Sequence, residues 1–183
     1  MKKVLTLEIT PLVSSSVVDG SFSGWASLNY YGKSPNATEF EFGYGDNFSY
    51  NKSINYNYTD KLAHAWQSHT TSINAYGDYY YNLLGGYYTP GVQITNQGSL
   101  YGRVAAINLV NSLTDSSGGW LEDRVRIPIT YKGQSGRWVA RYTHPWSPVI
   151  PSLTIGPVSL SFGTFIGDEW EWEWENNFTI QAQ

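Results

Sequence analysis

Apolar and polar residues alternate most cleanly over the stretch from Asp168 to Gln183. Even positions hold Trp170, Trp172, Trp174, Asn176, Phe178, Ile180 and Ala182; odd positions hold Glu169, Glu171, Glu173, Glu175, Asn177, Thr179 and Gln181. Successive side chains of a strand point to opposite faces, so this is a strand with one apolar and one polar face. The phase carries through Asn176-Asn177, which argues against a one-residue bulge that would exchange the faces. At about 3.3 Å per residue the stretch would reach roughly 50 Å, so a bend or twist is expected near Asn176. Burying each tryptophan would contribute roughly 2–3 kcal/mol. Left exposed, the stripe would be a sticky patch rare on soluble monomers, so core is expected in preference to a sugar-stacking platform. The glutamates lie nearly 7 Å apart along the other face. They read as a solvated charge ladder that discourages edge pairing. A catalytic carboxylate pair needs two different environments, which identical neighbours on one open strand do not offer.

The same two-residue period recurs upstream. Residues 3–10 place Leu5, Leu7 and Ile9 on one face before Pro11 ends or edges the run. Asp19-Gly20 marks a turn, and Gly32 to Asn36 a loop. Between them Phe22, Ala26, Leu28 and Tyr30 share a parity; after them Phe40, Phe42 and Tyr44 alternate with Glu39, Glu41 and Gly43. Phe48, Tyr50, Ile54, Tyr56 and Tyr58 keep that even phase. Thr59 to Ser68 departs from it and is the best helix candidate, with Thr59 or Asp60 as cap. Residues 74–91 are rich in tyrosine and glycine and read as a loop. Val92-Gln93-Ile94 and the run from Leu100 bracket a hairpin turn, although that second run also fits a helical face. Ser116 to Gly119 reads as a loop.

Val125, Ile127 and Ile129 form one face of a further strand, and Trp138, Ala140 and Tyr142 one face of the next. Taken as a hairpin, Ile127 faces Ala140, which sets Arg126 opposite Arg141 on the polar side. Two opposed like charges are unfavourable, so that face calls for carboxylates. The glutamate row is the expected supplier to Arg124, Arg126, Arg137 or Arg141. Residues 144–152 are punctuated by proline and must be loop or crossover. Val158, Leu160 and Phe162 then make a penultimate strand. Strand signals at this spacing predict an all-β fold, an antiparallel β-sandwich or jelly roll of about eight to ten strands with at most one or two short helices. All 183 residues fit one domain. The expected core includes Leu5, Leu7, Leu28, Phe40, Phe42, Ile127, Trp138, Leu160, Phe162, Trp172, Trp174 and Phe178.

Composition sharpens this picture. Aromatic residues make up 16% of the chain and charged ones only 14%, an all-β balance. A net charge of -4 gives no basic footprint for nucleic acid. No apolar run has the length of a membrane-spanning helix. Without cysteine there is neither disulfide nor thiolate chemistry. Met1-Lys2-Lys3 leads straight into the first strand without the apolar centre of a signal peptide. That fits either a removed leader followed by an added methionine, or a protein that assembles in the cytoplasm and works outside the cell. Five glycosylation sequons begin at Asn36, Asn47, Asn51, Asn57 and Asn177, all candidate attachment sites.

Chemistry is sparse. His64 and His69 are five apart, which misses the same-face spacing of a helical metal pair, and His144 stands far away. No phosphate loop, HExxH helix or nucleophile elbow occurs, so neither a catalytic residue, a metal ligand nor a cofactor is expected. In composition the chain resembles surface proteins of thermophilic archaea and their viruses, a likeness that covers no motif. The expected function is a non-enzymatic structural subunit of an extracellular assembly, a virion coat or fibre protein or a surface filament. The partners would be further copies of itself. The alternative is a glycan-binding module presenting Tyr79, Tyr80, Tyr81, Tyr87 and Tyr88, because tyrosine offers a large ring with a polar tip at low entropy cost. A hydrolase using the glutamate row ranks third. Leu5, Leu7 and Ile9 lie on a tethered strand that must join some sheet edge, its own or a neighbour's.

Overall fold

The computed structural model describes residues 15–52, 58–95, 101–109, 115–145, 153–155, 158–160 and 169–180. Among these residues thirteen strands follow in chain order: β1 (Ser16–Asp19), β2 (Phe22–Lys33), β3 (Glu39–Tyr50), β4 (Thr59–Trp66), β5 (Thr71–Leu83), β6 (Gly86–Tyr88) and β7 (Gln93–Thr95) come first. Then come β8 (Gly102–Asn108), β9 (Ser116–Pro128), β10 (Ser135–Pro145), β11 (Leu153–Ile155), β12 (Val158–Leu160) and β13 (Glu169–Thr179). Ile129–Tyr131 form a single 3-10 turn, the only helical residues among those described. Six strands make one sheet, ordered β1-β2-β3-β9-β5-β6; five make the other, ordered β13-β10-β4-β8-β7. Their pairings are antiparallel and the two sheets pack face to face, a β-sandwich as the alternation predicts. Among the described residues β11 and β12 pair only with each other.

The core is aromatic and its parity is the one the sequence shows. Phe22, Ala26, Leu28, Phe40, Phe42, Tyr44, Phe48, Ile127, Trp138, Trp174, Phe178 and Ile180 are buried, whereas Trp172 is only partly so. Tyr44 stacks on Trp138 across the sandwich, centroids 4.5 Å apart and planes within 4°. Large rings from one sheet are seated on small residues of the other. A Cβ added to Gly24 of β2 would come within 2.6 Å of the Trp174 ring. Of the remaining expected core residues, Leu5, Leu7 and Phe162 lie outside the described residues, and the Leu160 side chain is likewise not described.

Four expectations are corrected. The expected helix from Thr59 is β4, bonded on one side to β10 and on the other to β8. Neighbouring ladders override a weak local preference for helix. The tyrosine-rich stretch is also regular, a hairpin of β5 and β6 turning through Leu84 (φ 50) and Gly85 (φ 79). Two left-handed residues are what a two-residue turn of the twist-matched type requires. Ser116 to Gly119 opens β9 instead of forming a loop. Finally, β9 and β10 do not pair. β9 lies between β3 and β5, while β10 lies between β4 and β13, so Ile127 faces Phe40 and Ala140 faces His64 and Trp174. Val125, Ile127, Trp138, Ala140 and Tyr142 do meet in one core, but from opposite sheets. Alternation identifies the buried face; it does not identify the strand alongside.

Candidate functional site

The densest chemistry is sealed inside. His64 of β4 is fully buried between two fully buried carboxylates, its Nδ1 2.7 Å from Asp46 Oδ2 and its Nε2 3.0 Å from Asp123 Oδ2. An imidazole that donates to both must carry a proton on each nitrogen. Burial alone would push its pKa down, but the hydrogen bonds and charges of Asp123 and Asp46 outweigh burial and raise it to about 9. Arg103 of β8 donates Nε to Asp123 at 3.2 Å and Nη2 to the Ser72 hydroxyl at 2.6 Å, and that hydroxyl donates to Asp123. Asp46 accepts the indole N–H of Trp138 at 3.2 Å and of Trp174 at 3.0 Å. Two anions therefore meet two cations. The anions belong to the six-stranded sheet and the cations to the five-stranded one, so the group bolts the sheets together. Residues at core parity but of the wrong polarity are the signal that sequence reasoning passed over: Asp46 follows Phe42 and Tyr44, and Asp123 lies between Leu121 and Val125.

A second buried group lies nearby on the five-stranded sheet. Asp60 accepts from His144 Nδ1 at 2.8 Å and from the Tyr142 hydroxyl. Burial carries the Asp60 carboxyl up to about 6 against the pull of His144 and Tyr142. The third histidine, His69, stacks on Tyr131 at 4.2 Å. The histidines are thus held in three separate settings, and no metal-holding cluster occurs among the described residues.

The arginines divide between the sheets. Arg137 chelates Glu175 through Nε at 2.8 Å and Nη2 at 2.7 Å, and Arg141 reaches Glu173 at 2.5 Å and Glu171 at 3.4 Å. These are the cross-strand pairs expected of the glutamate row. Arg124 and Arg126 lie on the far sheet instead and share Glu41, each through a 2.7 Å contact from Nη2. Arg126 faces Glu41 in the β3–β9 register, so the opposed arginine pair expected from a β9–β10 hairpin does not exist.

The five tyrosines separate as well. Tyr79 is buried and presents no surface, a correction to its place among exposed candidates. Tyr80 stacks on Tyr87 at 5.5 Å and Tyr81 on Tyr88 at 5.1 Å; Tyr87 and Tyr88 are exposed, and Tyr80 and Tyr81 are half-buried. Asn36, Asn51 and Asn177 are exposed, and Asn47 is half-buried on the outer face of β3. The Asn36 carboxamide oxygen accepts from the Thr38 hydroxyl of its own sequon at 2.9 Å. Asn57, with Leu5, Leu7 and Ile9, lies outside the described residues. Among the described residues no helix is long and apolar enough to cross a membrane.

No family model and no curated protein sequence matches the chain. Solved structures do share its fold. One is a pore forming protein, 8% identical, with 91% of this chain and 90% of that one covered at a TM-score of 0.51. Another is the Clostridium perfringens NetB toxin in its membrane inserted form, 7% identical, with 93% and 96% covered at 0.51. At such identities the likeness is one of architecture.

Proposed function

We propose that the protein is a non-enzymatic structural subunit of an extracellular assembly, a virion coat or fibre or a cell-surface filament. One observation carries this reading. β13 is an eleven-residue edge strand, bonded among the described residues only to β10. The chain enters the sandwich beside it, where the Ser15 N–H donates to Asn176 Oδ1 at 3.1 Å. A long edge with an unused ladder is a template for another strand. The run from Lys3 to Thr10, outside the described residues, has the alternation of such a strand: its main chain would supply the hydrogen bonds and Leu5, Leu7 and Ile9 the register. Donated by a neighbouring copy, it links subunits head to tail into open filaments or closed rings. Donated within one chain, it closes the sandwich and no assembly forms. The histidine and aspartate groups are buried, and Glu171, Glu173 and Glu175 are engaged with arginine, in keeping with a role without catalysis. The fold's occurrence in a pore forming protein and a toxin is in keeping with work outside the cell. Deleting residues 1–11 and measuring size by light scattering tests the reading. A folded monomer derived from an assembled parent supports it; unfolding of a parent that was already monomeric overturns it.

A further inference from the structure

The outer face of the six-stranded sheet carries a concavity of about 490 Å³, which the assembly reading does not use. Two irregularities build it. The β2–β3 register skips Tyr31, and the β5–β9 register skips Ile73. Each is an extra residue in its strand, and bulges re-aim side chains. Tyr31 and Ile73 stand on either side of the central strands β3 and β9, and both line the same hollow. Gly43 makes the seat: a Cβ there would come within 2.8 Å of the Tyr31 ring. The Tyr31 hydroxyl donates to Glu122 at 2.8 Å, and the Arg124 guanidinium lies 4.7 Å from its ring centroid.

The lining is cationic in a chain of net charge -4. Arg124, Arg126 and Lys33 line it against a single carboxylate, Glu41, which both arginines hold from below. At the rim Glu39 stands 3.8 Å from Arg126. Arg124 uses only Nη2 on Glu41, and its Nε–H is buried with no acceptor. Tyr76, 47% exposed, forms the opposite wall, its hydroxyl fixed by the Asn74 amide at 2.8 Å. The hollow therefore offers an aromatic wall, an apolar bulge and a pair of guanidinium groups with donors to spare. That combination suits a polar ring bearing a carboxylate, since arginine reads a planar carboxylate with paired donors and an open tyrosine ring accepts a flat face.

We propose that this hollow binds an acidic sugar residue, its ring against Tyr76 and its carboxylate on Arg124 and Arg126. The site stands independently of the assembly reading.

Calorimetric titration of the full chain with methyl glucuronide, methyl glucoside and inorganic phosphate tests it. Glucuronide should bind saturably, with the glucoside weaker by about 10- to 100-fold, the range set by a charged hydrogen bond. Arg124→Gln should erase that preference, and Tyr76→Ala should weaken the glucuronide by about tenfold, while Tyr87→Ala on the distant hairpin leaves both unchanged. Each variant's unfolding curve shows that it is folded, and Tyr76 is exposed enough to be replaced without loss of core. Absence of saturable glucuronide binding overturns the proposal. So does equal binding of the glucoside, phosphate binding as tight as glucuronide, or a preference that survives Arg124→Gln.

Discussion

The two faces of the six-stranded sheet carry the same chemistry to opposite ends. Asp46 and Asp123 leave β3 and β9 on the inner side and meet His64 and Arg103 there. Glu41, Arg124 and Arg126 leave the same two strands on the outer side. Asp123 and Arg124 are chain neighbours, one residue apart and therefore on opposite faces. Inside, both imidazole nitrogens have partners, and the charges balance across the two sheets. Outside, Glu41 is shared by two guanidinium groups, with Glu39 only at the 3.8 Å margin of Arg126. In the low dielectric of the core an incomplete network would be costly, so completeness there stabilises and rigidifies. At the surface water can meet the exposed ends of the two guanidinium groups at little cost, and those ends remain open to a ligand.

Breaking the inner group should have the largest effect. Asp123→Ala leaves His64 and Arg103 with one carboxylate fewer in the core, and urea unfolding should show a loss of about 3–5 kcal/mol.

Next is the pH dependence. The His64 pKa rises from 6.5 to about 9 on folding, so its contribution is complete below pH 6.5 and disappears as pH rises through 9. Its full size is on the order of 3 kcal/mol. Asp60 slopes the same way at lower pH, contributing below 3.8 and losing that contribution on the way to about 6. Denaturant midpoints should therefore fall between pH 6.5 and 9.5, and an imidazole signal followed by NMR should titrate near 9. A His64 signal that titrates near 6 removes the imidazolium from the core.

On the outer face Glu41→Gln should cost less than Asp123→Ala, about 1.5–3 kcal/mol by the same unfolding measurement, because it weakens charged hydrogen bonds that water partly replaces. The smallest change is expected for Arg137→Ala. Its pair with Glu175 is well exposed, and a double-mutant cycle should return about 0.2–1 kcal/mol, falling further in high salt. A coupling as large as the loss at Asp123, in this exposed pair of the five-stranded sheet, would erase the distinction between buried and exposed charge groups.

Alternation along the chain establishes the faces of β2, β3, β10 and β13, but it does not identify β4, β5, β6 or the start of β9 as strand. From Phe22 to Leu28, from Phe40 to Phe48 and from Trp172 to Ile180, the residues at apolar parity are the ones that turn inward. The turn at Asp19-Gly20 was legible for the same local reason, whereas the pairing of Arg137 and Arg141 with the glutamate row followed from a β9–β10 hairpin that does not form. Side-chain parity, turn chemistry and charge repeat within a few residues of each other. The candidate site was not legible: Tyr31 and Ile73 reach one hollow only because each is an extra residue in its ladder, and the β5–β9 ladder joins strands far apart in the chain.

Partnership is what tertiary structure alone decided. A strand's sequence states which face is apolar, but its hydrogen-bonding edges are identical main chain and accept any neighbour with a matching face. Hence β9 and β10, adjacent in sequence and correctly faced, belong to different sheets. The buried polar residues follow the same rule. An aspartate or histidine at core parity looks like a defect in a hydrophobic pattern until the opposite sheet brings the opposite charge. Asp46 and Asp123 came to His64 across 18 and 59 residues of chain, and only the packed sandwich makes those three a unit.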